Sequence, residues 1–317
     1  LYKGIEELAF LIYNNKQNNL NRRLDQMRQI SLRAPGKINW TLDIMGRRPD
    51  GYHEVRMLMQ SVDLYDEITI MAGGTGITVV SDFEGMPLDE RNTAWKAAAL
   101  LMDMAGASEG VKISINKRIP MAAGMAGGSA DAAGVLVGLN ELWGLGLNVS
   151  QLEAIGLEVG ADVPFCIAGG TAIAEGIGEM LTRLEPIEGI WLVVVKPPFG
   201  VSTAEVYKAF RMDKNNRHND TEDIYQKLKA GDFKGLAATG LSNALEQVTV
   251  SMHPEIAAIK EELLSLGAAV SLMTGSGPAV YGVFEDQAAA RFAQDHMKKT
   301  YFQTYLTRTR GKGIELI

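Results

Sequence analysis

Pro120-Met121-Ala122-Ala123-Gly124-Met125-Ala126-Gly127-Gly128-Ser129-Ala130-Asp131-Ala132-Ala133 leaves a β-type segment (Val111, Ile113, Ile115) and runs straight into a helical pattern. Small side chains at this density let the backbone approach a ligand closely, and glycines at 124, 127 and 128 permit positive φ. Several N–H groups can then converge on one anion, with the positive end of the following helix aimed at the same point. The stretch reads as a phosphate cradle, and a nucleoside triphosphate is its natural occupant. A tight turn with glycines for packing is the plain alternative for a lone Gly-rich loop. The stretch is not a Walker A loop, because no Gly-Lys-Ser/Thr follows the glycines, and it lacks the Gly-x-Gly-x-x-Gly of dinucleotide sites.

Three further motifs flank it. Upstream lie Ala34-Pro35-Gly36-Lys37-Ile38-Asn39-Trp40-Thr41-Leu42-Asp43 and then Gly46-Arg47-Arg48-Pro49-Asp50-Gly51-Tyr52-His53-Glu54. Downstream come Gly160-Ala161-Asp162-Val163-Pro164-Phe165 and Met273-Thr274-Gly275-Ser276-Gly277-Pro278. In this order and at these separations the set resembles the GHMP kinases, the superfamily of galactose, homoserine, mevalonate and phosphomevalonate kinases. The resemblance runs from about Ser31 to the C-terminus. It departs mildly in the loop, where the family often has Leu-Gly-Gly-Gly-Ser-Ser and this chain has Met125-Ala126-Gly127-Gly128-Ser129-Ala130.

The resemblance implies an α+β, two-domain fold with the active site in the cleft between the domains. The first domain, residues 27–185, would be the mixed sheet-and-helix type of ribosomal protein S5 domain 2. The second, residues 186–317, would be ferredoxin-like. Residues 1–26, polar and rich in asparagine, fall outside every motif and are expected to be a dispensable extension. The implied activity is ATP-dependent phosphorylation of an alcohol, with Mg2+ held by a loop serine, here Ser129. ATP would lie along Pro120 to Ala130, with Asn92 at the adenine pocket.

Phosphoryl transfer needs a phosphate seat, a cation and an acid/base pair near the acceptor hydroxyl. Asp162 sits among apolar neighbours, where its charge is costly without a partner, and Lys37 is the obvious one. A lone Asp in a loop is ordinarily a cap or turn former; the resemblance makes Asp162 the catalytic base and Lys37 the catalytic lysine. It also assigns Tyr52 and His53 to a cytosine, which an imidazole can meet as donor or acceptor and an aromatic face can stack on. Tyr207 is the second stacking candidate or an ordinary helix aromatic. Asn39, Thr203, Gly275 and Ser276 complete the implied substrate contacts. Asn92 doubles as a helix N-cap and Asp131 as a helix-dipole partner or a cation ligand. The substrate class that the resemblance implies is a cytidyl diphosphate sugar alcohol. A kinase for another alcohol and a non-catalytic nucleotide sensor are the competing classes; retention of both Lys37 and Asp162 argues against the sensor.

Bulk properties are permissive. The 317 residues, 46% hydrophobic, suffice for two cores. The formal net charge is −7 with no block of Lys/Arg, which argues against nucleic acid as a partner. No run is long enough for a membrane span, and the single cysteine, Cys166, suits a reducing cytoplasm. Oligomeric state leaves no mark in the sequence.

Short β-type patterns occupy Gln29–Ala34, Ile38–Met45, Glu67–Met71 and Ile77–Val80, after which Asn92–Ala105 and Gly128–Trp143 read as helices flanking a strand at Val111–Asn116. A Ser-x-x-Glu box at Ser150 and Glu153 is expected to open a helix that stops near Gly160 and delivers Asp162 to a loop. Beyond 190, strands at Ile190–Lys196, Ala268–Thr274, Ala279–Phe284 and Tyr301–Arg308 alternate with helices at Thr203–Phe210, Glu222–Ala230, Pro254–Leu266 and Gln287–Lys298.

Overall fold

In the computed structural model, residues 29–212 and 218–317 are described. The expected extension at 1–26 lies outside them. Strands β1 (Gln29–Arg47) and β2 (His53–Ala72) form one long antiparallel hairpin, closed by a turn at 48–52 in which Gly51 takes φ 91°. The two short strands expected in this region are one continuous β1. Its register shifts between Pro35 and Lys37, between Asn39 and Thr41, and between Ile44 and Gly46, and these irregularities interrupted the sequence alternation.

Around that hairpin a seven-stranded sheet is laid out as β11-β1-β2-β4-β3, using β3 (Ile77–Ser81), β4 (Val111–Asn116) and β11 (Glu315–Leu316). The far half of β2 pairs β5 (Thr171–Glu175), which pairs β6 (Met180–Leu184). Helices α1 (Thr93–Met104), α2 (Gly127–Trp143), α3 (Val149–Leu157) and α4 (Val163–Ala168) accompany this sheet. Helix α2 carries small residues where it meets the sheet. A Cβ at Gly134 or Gly138 would come within 2.6 Å of Ile68 or Ile70, so glycine sets how closely the helix lies on the hairpin.

The second sheet is β10-β7-β9-β8, built from β7 (Trp191–Val195), β8 (Val270–Met273), β9 (Val280–Phe284) and β10 (Thr304–Arg308). Taken in chain order its strands run fourth-first-third-second, all antiparallel, the ferredoxin-like order expected. Helices α5 (Thr203–Ala209), α6 (Thr221–Ala230), α7 (Phe233–Thr239), α8 (Glu246–Met252) and α9 (Glu255–Ser265) lie between β7 and β8 in sequence, and α10 (Gln287–Met297) between β9 and β10. The chain passes from one sheet to the other across 185–190, then returns at its end, where Leu32 pairs Leu316. The C-terminal half is therefore not confined to the second sheet. Among the described residues no helix is long and apolar enough to cross a membrane.

Helix α3 begins two residues before the expected box. Asn148 is its N-cap, and Gln151 returns the bond to complete a capping box. Glu153 pairs Arg183 instead. An Asn at N-cap serves as well as a Ser, so either pattern was chemically admissible.

Candidate active site

The phosphate loop is a bridge between the two sheets. Lys37 N–H of β1 donates to the Met125 carbonyl at 3.1 Å, and Ala279 N–H, just before β9, donates to the Ala123 carbonyl at 3.3 Å. Docked at both ends, the loop has little freedom. Positive φ falls at Ala122 (50°), Gly124 (74°) and Ala126 (56°). Gly127 and Gly128, expected to share that role, lie instead in the first turn of α2 and do not. Space there is tight, since a Cβ would stand 3.1 Å from Ile119 Cγ2 at Gly127 and 3.1 Å from Thr93 Oγ1 at Gly128. Left-handed alanines cost of order 1–2 kcal/mol each and persist where packing on both sides dictates them. Ala126 is the N-cap and offers no side-chain bond, so the first N–H groups of α2 stay available to an anion.

Lys37 is buried, and its ammonium donates to Asn39 Oδ1 at 2.7 Å. Two residues apart along β1, the side chains share a face. Asp162 stands at the start of the short helix α4, where its carboxylate makes no capping bond. No ion pair joins Lys37 to Asp162, so the expected direct partnership is replaced by Lys37–Asn39. Both nonetheless line one cavity and both act on Cys166, whose thiol is pushed up by burial first and by the Asp162 charge, with Lys37 opposing. Burial and the same Asp162 charge also push up the Tyr207 phenol. The Asp162 charge therefore reaches both Cys166 and the aromatic Tyr207.

At that end the hairpin turn presents exposed Tyr52 beside His53. The His53 ring sits 5.3 Å from Tyr207, tilted 39°, and 6.1 Å edge-on from Phe210. Burial first, then Arg47, lowers the His53 pKa and favours the neutral imidazole. Thr203 and Ser276 hydroxyls hydrogen-bond at 2.8 Å across the opening, with Gly275 next to them. Asn92 caps α1 through Ala94 N–H at 2.8 Å and lines the loop end of the cavity. Asn39 and Ala130 are fully buried and do not face the cavity. Asn39 acts on Lys37, and Ala130 belongs to the packed side of α2.

Sequence reasoning missed a buried charge cluster under the loop. Lys117, from the end of β4, is shared by Asp66 of β2 and Asp131 of α2, the latter at 2.7 Å. Asp66 also accepts from the Arg118 and Ile119 N–H groups, whereas Asp131 Oδ1 has no donor. Burial opposes the Lys117 charge, but the two carboxylates outweigh it and hold its pKa up. Asp131 is pushed well up by burial first, and Asp66 adds to the rise against Lys117. A raised folded pKa means stability fully present below the ordinary carboxylate range and lost as pH climbs through the folded value. Asp131→Asn imitates the neutral acid, so its melting temperature should gain progressively on wild type as pH rises above about 4, the ordinary carboxylate value. A constant offset across that range would show that Asp131 stays ionised. The three partners come from separate elements, and no local pattern announces them.

The whole cavity measures about 1350 Å³, above the ~300–1,000 Å³ of a single-ligand site, which leaves room for two substrates. Although the chain is acidic, Lys37, Arg47, Arg91, Lys117, Lys208 and Arg211 line this cavity against Asp131 and Asp162. Of these, Lys208 adjoins Tyr207 in sequence and is a cation that the motif reading overlooked.

Comparison with known proteins agrees with this geometry. A model of the GHMP kinases N terminal domain matches residues 92–170, and one of the GHMP kinases C terminal region matches residues 224–303. The 4-diphosphocytidyl-2-C-methyl-D-erythritol kinase of Alkaliphilus metalliredigens is 44% identical over 284 residues, 89% of this chain and 97% of the relative. That of Acetivibrio thermocellus is 47% identical over 283 residues, 89% of this chain and 100% of the relative. A crystal structure of 4-(cytidine 5'-diphospho)-2C-methyl-D-erythritol kinase superposes with a TM-score of 0.76 at 32% identity, covering 89% of this chain and 100% of that one. With relatives this similar along their whole length, the chain belongs to the 4-diphosphocytidyl-2-C-methyl-D-erythritol kinase family of the GHMP kinases.

Proposed function

We propose that this protein transfers the γ-phosphoryl group of ATP to the 2-hydroxyl of 4-diphosphocytidyl-2-C-methyl-D-erythritol. The products are ADP and the 2-phosphate, a step of the non-mevalonate route to isoprenoid precursors. One observation carries the reading: a single cavity holds an anion-binding helix start at one end and a His-Tyr-Phe cluster at the other. The neighbours run in sequence from Met125 to Lys37, to Cys166 and Asp162, to Tyr207 and to His53. A nucleoside on the acceptor explains the aromatic end, since a bare hydroxy acid offers nothing to stack. We place the reaction in the cytoplasm, where the lone thiol Cys166 would stay reduced.

In this reading the substrate 2-hydroxyl attacks the γ-phosphorus, the bond to the β–γ bridging oxygen breaks, and the hydroxyl proton passes to Asp162. Lys37, held by Asn39, faces the charge that develops on the transferred group. The free N–H groups of Gly127, Gly128 and Ser129 hold the phosphates. Among the described residues no group of three or more His, Cys, Asp or Glu side chains could hold a metal. Mg2+ would be held mainly through the nucleotide phosphates, with few protein oxygens. Ser129, a hydroxyl in the first turn of α2 on the cavity wall, is the residue to hold it. When bound, the ion neutralises phosphate charge.

Gly127→Val places a branched side chain against Ile119 at the mouth of the helix. Affinity for a non-hydrolysable ATP analogue should fall about tenfold or more in calorimetry while the fold persists; unchanged affinity would mean that the phosphates sit elsewhere. The function itself is tested by ADP release over a panel of alcohols. Turnover with the cytidyl substrate alone is expected, whereas equal or better turnover of homoserine or mevalonate would reassign the acceptor, and none with any alcohol would make the protein a nucleotide sensor.

A further inference from the structure

Thr274, which follows β8, is fully buried, and the Asn39 N–H donates to its hydroxyl at 3.1 Å. A hydroxyl has one proton to give. Two oxygens compete for it: the Gly124 carbonyl of the phosphate loop at 3.3 Å and Asn39 Oδ1 at 3.5 Å. Both are longer than the usual O–H···O separation, so neither holds the proton firmly. Asn39 Oδ1 is also the atom that receives the Lys37 ammonium, at 2.7 Å. One side chain from the second sheet therefore touches the seat of the phosphates and the only hydrogen-bond partner of the Lys37 ammonium among the described residues. Its backbone is fixed independently, with Thr274 N–H donating to Ala279 O at 3.0 Å and Gly277 N–H donating to Thr274 O at 2.9 Å. The position of the hydroxyl is thus set by the second sheet, whereas its partners belong to the first sheet and the loop.

We propose that Thr274 is a positioning residue for the phosphoryl transfer, its hydroxyl setting the spacing between the phosphate loop and the Lys37–Asn39 pair. This rests on the function proposed above. The nucleotide can bind through the loop N–H groups, and the acceptor through the aromatic end, without Thr274. What depends on it is whether the transferred group and the Lys37 ammonium meet in register. The loss should appear in the chemical step and leave both binding steps nearly intact.

The test is Thr274→Val, close in shape and lacking the hydroxyl, beside Thr274→Ser, which keeps it. For the valine variant kcat should fall about tenfold or more, with KM for ATP and for the cytidyl substrate within about threefold of wild type. Serine should restore most of kcat. A lower melting temperature for valine is expected from the unpartnered Asn39 N–H under any role, so it decides nothing; the kcat-against-KM split and the serine rescue do. Should the valine variant fail to fold, Thr274→Ala reads the same split. A folded variant with kcat within twofold of wild type, a loss confined to KM, or failure of serine to rescue would each overturn the proposal. Wild type inactive on the cytidyl substrate would instead overturn the proposed function, so the two failures are distinct.

Discussion

Asp162→Asn is expected to fold and to bind both substrates near wild-type affinity, yet to lose kcat by about 10² or more, the contribution of a positioned acid/base group. The structure makes this a clean substitution. The Asp162 carboxylate caps no helix and holds no ion-pair partner, so the amide leaves no structural bond unmade. Removing its charge relieves the groups it disfavours, the Cys166 thiol and the Tyr207 phenol, neither of which needs to ionise. His53→Ala and Tyr207→Ala should show the opposite pattern, chiefly a higher KM for the cytidyl substrate, because contacts far from the reacting oxygen are similar in ground and transition states. If Asp162→Asn turns over near the wild-type rate, the hydroxyl proton does not go to Asp162, and Lys37 with the metal carries the reaction by positioning and charge alone.

The difference between these residues also explains what could be read before the fold was known. Pro120 to Ala133 reads as an anion cradle or as a packing turn, and only the motifs around it favour the cradle. Which residue in the run does what was not legible. Gly124 is left-handed as expected, but the other left-handed positions fell on Ala122 and Ala126, residues that avoid such backbone. Docking of the loop on β1 and on the third motif imposes them, and both partners are remote in sequence. Strands β5 and β6 and helices α7 and α8 escaped the periodicity reading.

Within the site, Lys37 and Asn39 offered a local signal, since a spacing of two on a strand puts side chains on one face. The bond from Lys37 to Asn39 Oδ1 is the contact that this spacing allows. The Lys117–Asp66–Asp131 cluster offered none, because burial and long-range pairing decide it. Asp131 at a helix start reads as a dipole partner or a cation ligand; it is 2% exposed and pairs Lys117, the residue after β4.

Gly124→Ala should be the most damaging single-methyl change in the loop, lowering kcat/KM for ATP by about 10² or more and reducing the melting temperature. Two costs coincide there. The backbone has φ 74°, which strains any L side chain. The added Cβ would also lie 2.1 Å from the Thr274 carbonyl oxygen, and backbone on that side cannot rotate away as a side chain can. Gly275 faces back in the same manner, its own Cβ position 2.9 Å from the Gly124 carbonyl, so the loop and the third motif pass each other backbone to backbone. Relief requires moving the loop off the motif, which breaks the Ala279–Ala123 bond and shifts Met125, the residue that Lys37 N–H grips. Gly128→Ala is the control. Its Cβ meets only the Thr93 hydroxyl at 3.1 Å, a side chain that can yield by loosening its 2.6 Å bond to the Gly128 carbonyl, and it sits in ordinary helical backbone. The glycine pair therefore separates two uses of the same residue type: comparable damage from both would mean that the loop fails through lost flexibility, whereas loss at 124 alone would locate the requirement in its left-handed backbone and its contact with Thr274.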